Sequence, residues 1–164
     1  MRRVLKLLAM TMLALGIGVT PALAQNPHFI GAPTCSGKTV SGSTVTISCS
    51  GKVAGLGSQR VAVFLTAGQV DLQLICVNKG GNTAPGHPAF FQGVTGPTKT
   101  ITPHNGQITF TATLSVTAPS SREVCPNGNW RVVITSASFD NVVLHVEQPP
   151  GNEVLHWDFP HIDP

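Results

Sequence analysis

The feature that most constrains this 164-residue chain is the alternation of apolar and polar residues at every second position. In one stretch Val45, Ile47 and Cys49 alternate with threonine and serine. Successive side chains of a strand point to opposite faces, so this pattern is typical of antiparallel strands that have one buried and one solvated face. Beyond residue 24 no stretch repeats apolar residues at the spacing of an amphipathic helix. The sequence therefore predicts an all-β protein.

About six or seven short strands are predicted, and glycine, proline and asparagine separate them. The alternating stretches are Val45–Val53, Val61–Leu65, Val70–Cys76, Ile108–Val116, Trp130–Ile134 and Val142–Val146. Turns are expected at Ala67-Gly68 and at Asp140-Asn141. Trp130 has the parity of Val132 and is expected to be buried against a disulfide. This series favours an antiparallel β-sandwich of immunoglobulin-like architecture.

The N-terminal residues 1–24 have the pattern of a signal peptide. A basic start is followed by an uncharged stretch from Leu7 to Val19, and Ala22-Leu23-Ala24 has the small-residue pattern of a cleavage site. The uncharged stretch is shorter than the roughly 20 residues of a membrane-spanning helix. An uncleaved anchor is the alternative. We expect cleavage after Ala24, export from the cytoplasm, and no membrane association afterwards.

Four cysteines in an exported chain predict two disulfides, because the compartment is oxidising. Of the three connectivities, Cys35–Cys49 and Cys76–Cys125 are favoured. Cys35 and Cys49 flank the turn-forming Ser41-Gly42-Ser43, whereas Cys76 ends one predicted strand and Cys125 precedes another. The alternative use of the cysteines, in a metal site, lacks any closely spaced cysteine pair.

The chain after the signal peptide divides into a leader (25–34), a β-sandwich domain (35–147) and a C-terminal tail (148–164). The tail begins with two prolines and a glycine, and its Trp157 and Phe159 are expected to pack on the sandwich. Without the signal peptide the chain has seven basic and seven acidic residues. This neutral balance gives no electrostatic case for a nucleic-acid partner, which requires clustered lysine and arginine.

Several short sequence landmarks follow one another along the predicted domain. They are Gly55-Leu56-Gly57, the stretch 76–82 (CVNKGGN), Pro85-Gly86, Asn105-Gly106 and the stretch 125–130 (CPNGNW). In this combination the chain resembles a group of small secreted bacterial proteins, common in actinobacteria, over residues 35–147. Gly128 departs from the proline expected there, and His87 from a polar amide. The resemblance implies an exported β-domain and supplies no catalytic residues.

The connection from Asn78 to Pro97 is long for a compact domain, so either Ala89–Gln92 forms a short strand or the loop has a function. Together with the segment after Cys125, to which a disulfide would join it, it is the candidate contact surface for a protein or glycan partner. The candidate residues are amides, one histidine and two phenylalanines: Asn78, Asn82, His87, Phe90, Phe91, Asn127 and Asn129. The alternative is that the amides only close turns.

Two other functions are weighed against this non-catalytic binding or surface-structural module. The first is an extracytoplasmic zinc or copper protein, since imidazole and carboxylate ligands suit these metals. Its candidate ligands all lie near the C-terminus: His145, Glu147, His156, Asp158 and His161. The second is a hydrolase, but residues 35–146 contain only Asp71, Glu123 and Asp140 as carboxylates and no nucleophile-elbow motif. The sequence favours a protein without catalytic residues and without a cofactor.

Overall fold

Within residues 26–162, which the computed structural model describes, the chain forms ten strands and one short helix. The predicted signal peptide, at residues 1–24, lies outside these residues. The elements are β1 (His28–Phe29), β2 (Thr34–Ser41), β3 (Thr44–Ala54), β4 (Val61–Val77), β5 (Thr83–Pro85), β6 (Ala89–Thr95), β7 (Lys99–Ile101), β8 (Ile108–Thr117), α1 (Ser121–Val124), β9 (Arg131–Glu147) and β10 (Glu153–Ile162). None of the described helices is long and apolar enough to cross a membrane.

The strands form two antiparallel sheets that enclose one hydrophobic core. In the first sheet β3 is central, with β8 along one edge and β2 and β1 along the other. In the second sheet the order is β10-β9-β4, and β7, β6 and β5 follow one another along the free edge of β4. The all-β sandwich predicted from the alternation is confirmed.

The alternation itself places the two faces of the first sheet. Val45, Ile47 and Cys49 of β3 are fully buried, and burying an aliphatic side chain stabilises the fold by roughly 1.5–3 kcal/mol. The outward positions of β3 and β8 carry hydroxyl side chains, apart from Lys52 and Ala54. Two cross-strand pairs of them are hydrogen-bonded: Thr44 Oγ1 to Thr117 Oγ1 at 2.9 Å and Thr46 Oγ1 to Ser115 Oγ at 2.7 Å. The outer face is thus a ladder of serine and threonine.

The two turns predicted at Ala67-Gly68 and Asp140-Asn141 are wrong, because β4 and β9 each run through these positions as strands of 17 residues. The two sites lie beside each other in the β4–β9 ladder. A β-carbon on Gly68 would lie 3.1 Å from that of Asn141, and Asn141 has the left-handed backbone conformation, with φ of 52°. Glycine and asparagine therefore mark one local distortion shared by both strands.

Both segments flanking the predicted domain are parts of the sheets, which revises the limits drawn from the sequence. Residues 153–162 are not a tail outside the sandwich but the edge strand β10, paired with β9 along its length. Trp157 and Phe159 pack against the core, as expected. In the leader, β1 pairs with the end of β3. The long connection contains a strand, β6, that includes Ala89–Gln92.

The predicted disulfide connectivity is confirmed. Cys35 and Cys49 face each other across β2 and β3. Cys76, at the end of β4, is bonded to Cys125, which follows α1, with their Cα atoms 5.7 Å apart. The second disulfide therefore holds the segment before β9 against the end of β4.

Candidate functional site

The Cys76–Cys125 disulfide brings together the turn that follows β4 and the loop that precedes β9. The turn is closed by one asparagine side chain: Asn78 Oδ1 accepts hydrogen bonds from the backbone N–H groups of Gly80 and Asn82, both at 2.9 Å. Gly81 provides the positive φ of 82° that the turn requires. Asn82 is thus a turn residue, and its backbone carbonyl accepts from the Asn78 N–H.

The loop before β9 is ordered in the same manner. Asn127 Oδ1 accepts from the N–H of Asn129 at 3.1 Å, and Ser121 Oγ donates to the carbonyl of Gly128 at 3.0 Å. A β-carbon at Gly128 would lie 2.7 Å from Arg122 Cγ, so Arg122 passes directly over this position. The absence of a side chain here, where the resemblance leads us to expect proline, is what makes room for the arginine.

Helix α1 contacts this loop through Ser121 and Arg122, and its own start is fixed by a side-chain hydrogen bond. At its start, Glu123 Oε2 accepts from the Ser120 side chain at 2.7 Å and from the Ser120 backbone N–H at 2.8 Å. These two hydrogen bonds lower the pKa of the Glu123 carboxyl from its usual value. The carboxylate is therefore turned back onto the helix start.

Trp130 stands between the turn and the loop and lines three adjoining depressions, of about 400, 360 and 450 Å³. The expectation that Trp130 is buried is wrong: its side chain is half-buried and lies outside the core cluster. The reason is that β9 begins one residue later, at Arg131, so strand parity does not apply to Trp130. We define the Trp130 site as the polar, charged and aromatic residues that line the second and third of these depressions, to which Val77 and Gly80 also contribute: Asn78, Lys79, Asn127, Asn129, Trp130 and Arg131.

The structure divides the residues predicted for the contact surface. Asn78, Asn127 and Asn129 come together around Trp130. His87 is exposed, and its backbone N–H donates to the Val124 carbonyl. It is absent from the linings of the three depressions.

The two phenylalanines of the predicted surface lie on β6. Phe90 is 66% exposed and pairs with Asp71 of β4. Phe91 packs against the core. Neither lines the depressions at Trp130, so Phe90 is an isolated exposed ring.

The sequence analysis missed Lys79 and Arg131 as members of the site. Both are exposed. Lys79 lies two residues beyond the end of β4, and Arg131 is the first residue of β9. The predicted disulfide was the signal that could have found them, because joining Cys76 to Cys125 brings together the segments that follow these cysteines, and these segments include Lys79 and Arg131.

The histidines of the proposed metal site are paired with carboxylates instead. His145 Nδ1 contacts Glu153 Oε2 at 2.5 Å, its Nε2 contacts Thr66 Oγ1 at 2.9 Å, and its ring stacks on Phe64 with centroids 4.7 Å apart. His156 Nδ1 contacts the other oxygen of Glu153 at 3.2 Å. The hydrogen bond with His145 lowers the pKa of the Glu153 carboxyl, against a smaller opposing effect of burial.

The remaining candidate ligands are dispersed. His161 Nδ1 contacts Asp140 Oδ1 at 2.5 Å, and Glu147 accepts from the backbone N–H of Gly151. Asp158 lies 3.9 Å from His156 Nε2. Among residues 26–162, no three such side chains are arranged to hold a metal ion, which contradicts the convergence that the metal hypothesis requires.

The three carboxylates considered for hydrolysis have separate local partners. Asp71 accepts from Gln69 Nε2, Glu123 from Ser120, and Asp140 is paired with His161. This arrangement offers no shared acid–base pair among them.

Comparison with known proteins gives no family. No family model and no curated protein matches the chain. Two solved structures that match are a structural genomics target designated SoR45 and a putative ApaA protein from Bordetella pertussis. The first is 15% identical over 87% of this chain and 88% of its own, with a TM-score of 0.24. The second is 10% identical over 84% and 89%, with a TM-score of 0.23. With TM-scores this low, neither likeness supports an inference about this chain.

Proposed function

We propose that this protein is an exported, non-catalytic binding module that holds its partner, a protein or a glycan, at the Trp130 site. The observation that carries the proposal is the position of Trp130, whose half-buried indole lines three adjoining depressions at one end of the sandwich. Tryptophan and arginine are the side chains that most often dominate binding energy at interfaces. Here Arg131 follows Trp130 directly.

The rigidity of the site supports the same proposal. A disulfide fixes the two segments together, and the Asn78 and Asn127 side chains close their turns. A preformed surface loses little conformational entropy when a partner binds, and this favours affinity.

The proposed location outside the cytoplasm rests on the two disulfides and on the N-terminal sequence pattern. Disulfides persist in oxidising compartments. Kinship with the small secreted bacterial proteins, and an immunoglobulin-like type of sandwich, belong to the same proposal. Mass spectrometry of the exported protein should find Gln25 as its first residue.

The binding role is tested by retention on a panel of immobilised polysaccharides: cellulose, chitin, dextran, alginate and heparin. We expect the wild-type protein to be retained by at least one member, and Trp130→Ala to elute without retention. Trp130 lies outside the core cluster, so the variant should keep the melting temperature of the wild type.

Phe90→Ser is the matched control, because Phe90 is an exposed aromatic residue on β6, outside the Trp130 site. It should be retained like the wild type. Equal retention of Trp130→Ala and wild type would contradict the proposal, and no retention on any member of the panel would contradict a glycan partner.

A further inference from the structure

The geometry points to an anionic polysaccharide, one that carries uronate, sulfate or phosphate groups, as the ligand of the Trp130 site. This inference rests on the proposed binding function and narrows it. Three features of the site carry it: the side-chain donors that its turns leave free, its charge, and the lack of aliphatic side chains in the depression between the turn and the loop.

The hydrogen bonds that close the turns of the site leave several side-chain donors free. A backbone N–H can only donate, so the atoms of Asn78 and Asn127 that close the turns are their carbonyl oxygens. Each side chain then directs its NH₂ group elsewhere, and within residues 26–162 that group has no partner. The indole N–H of Trp130 is likewise without a partner in the described part of the chain. Such a surface matches a ligand rich in acceptors.

The charge of the site is positive, which also favours a ligand rich in acceptors. Lys79 and Arg131 are exposed in its lining, and Arg122 lies beside it over Gly128. No acidic residue lines any of the three depressions. The acidic residues of the C-terminal hairpin are Asp140, Glu147, Glu153 and Asp158 on β9 and β10. Near the site there are thus three cationic side chains and one carboxylate, that of Glu123 in α1, which is bonded to Ser120. This excess of positive charge attracts anions over about a Debye length of 10 Å.

A glycan fits this lining better than an acidic peptide does. The depression between the turn and the loop is lined by three asparagines, a lysine, a glycine and Trp130, with no aliphatic side chain. Peptide and protein partners bury an apolar centre, and this depression offers only the indole. A sugar ring can lie on the indole face with its C–H groups, while its hydroxyls and charged groups meet the surrounding donors.

The inference is tested by titration with oligosaccharides of equal length, using alginate oligomers as the polyuronate and dextran oligomers as the neutral ligand. Trp157→Phe serves as the background, so that Trp130 is the only tryptophan left after signal cleavage. We expect the alginate oligomers to change the emission of Trp130 and to bind at least tenfold more tightly than the dextran oligomers. Raising the salt from about 0.05 M to about 0.5 M should weaken this binding.

Asn127→Asp is the decisive variant, because aspartate keeps the oxygen that closes the turn and replaces the NH₂ donor with a negative charge. It should fold like the wild type and lose alginate binding by tenfold or more. Lys79→Gln should lose about three- to fivefold, as expected for one exposed charge. Lys99→Gln is the matched control, since Lys99 is exposed on β7, outside the site, and its affinity should equal that of the wild type.

The outcomes separate the inference from the function on which it rests. Equal affinity for dextran and alginate, with a response of Trp130 to both, overturns the anionic ligand and leaves the binding module. Tighter binding of poly-L-glutamate than of alginate overturns the glycan in favour of an acidic peptide. No response of Trp130 to alginate overturns the inference. The proposed function is overturned separately, by equal retention of Trp130→Ala and the wild type on the polysaccharide panel.

Discussion

Gln148 joins two segments that are far apart in sequence. It is only 4% exposed. Its Oε1 accepts from the N–H of Gly57, while its Nε2 donates to the carbonyls of Gly57 and Gln59. The Gln148 side chain thus supplies the hydrogen bonds that water would otherwise make to the backbone of Gly57 and Gln59, in the loop between β3 and β4.

Replacing Gln148 with alanine should lower the free energy of unfolding by about 2–4 kcal/mol, because three backbone groups lose a buried partner. The change would be measured by urea denaturation. Gln92→Ala, at an exposed position on β6, should change the same quantity by less than about 0.5 kcal/mol. A Gln148→Ala variant as stable as Gln92→Ala would contradict this account.

Gly51 lies opposite the buried Phe110 in the β3–β8 ladder. A β-carbon at residue 51 would lie 2.8 Å from Phe110 Cζ, so Gly51→Ala should force the ring to move and destabilise the protein by about 1–3 kcal/mol. Thermal unfolding would measure this. Ser50→Ala, at the exposed neighbouring position, is the control, and an equal melting temperature for both variants would count against crowding at Phe110.

The landmarks behind the resemblance have structural roles at this scale. Gly55 has a left-handed φ of 74°, and a side chain there would collide with the carbonyl of Asn26. The N–H of Leu56 donates to the carbonyl of Gly106 at 3.0 Å, so two separate landmarks touch. The sequence marked both segments as landmarks, but only the fold could show that they are hydrogen-bonded to each other.

The sequence was enough to predict which face of each strand is buried, but not how far β4 and β9 extend. Alternation correctly separated buried from exposed residues because burial enforces it at each pair of positions. Turns were wrongly predicted at Gly68 and Asn141, because the residue types that form turns also occur at distortions inside long strands. Likewise, Pro149-Pro150-Gly151 was read as the start of a tail, whereas this segment links β9 to β10.

Strand β10 is held to the sheet partly by ionisable side chains. Glu153 bonds to His145 and His156, and its pKa is below the usual 4.5 chiefly because of the hydrogen bond with His145. A carboxyl whose pKa is lower in the folded state adds stability above its unfolded pKa, and this stability is lost as the pH falls through the folded pKa.

We therefore expect the melting temperature of the wild type to fall more steeply between about pH 5 and pH 3 than that of Glu153→Gln. The effect should be small, because the Glu153 side chain is 42% exposed and solvent screens its interactions. His145→Phe, which removes the donor and keeps a ring next to Phe64, should flatten the pH dependence in the same way. Parallel curves of melting temperature against pH for all three proteins would show that Glu153 does not contribute to the loss of stability at low pH.

For the molecule as a whole, the two disulfides close loops of very different length. Cys35 and Cys49 are 14 residues apart, and Cys76 and Cys125 are 49 apart. In the chain-entropy treatment these bonds stabilise the fold by about 3 and about 4 kcal/mol, respectively.

The Cys76→Ala/Cys125→Ala protein should therefore be less stable than Cys35→Ala/Cys49→Ala by about 1 kcal/mol, as measured by urea denaturation. It should also lose retention on the polysaccharide panel, because the two segments of the Trp130 site are no longer joined. Retention unchanged in the first variant and lost in the second would place the binding surface at the other disulfide.

The candidate site was in part predictable at this scale. Pairing Cys76 with Cys125 from their places in the strand pattern was enough to bring Asn78, Asn127 and Asn129 together. The exposure of Trp130 was not predictable, since it depends on a strand limit that differs by one residue. Phe90 was assigned to the surface from its nearness in sequence, but β6 pairs with the middle of β4 and keeps it away.

The serine and threonine ladder on β3 and β8 has a consequence for how this protein meets its surroundings. Hydroxyl groups neither gain nor lose protons in ordinary environments, and added electrolyte does not screen them. Their hydrogen bonds with water should therefore be the same at low and at high salt, and at acidic and at alkaline pH. Apart from Lys52, this broad face of the molecule should therefore not respond to changes of salt and pH that would alter the cationic Trp130 site.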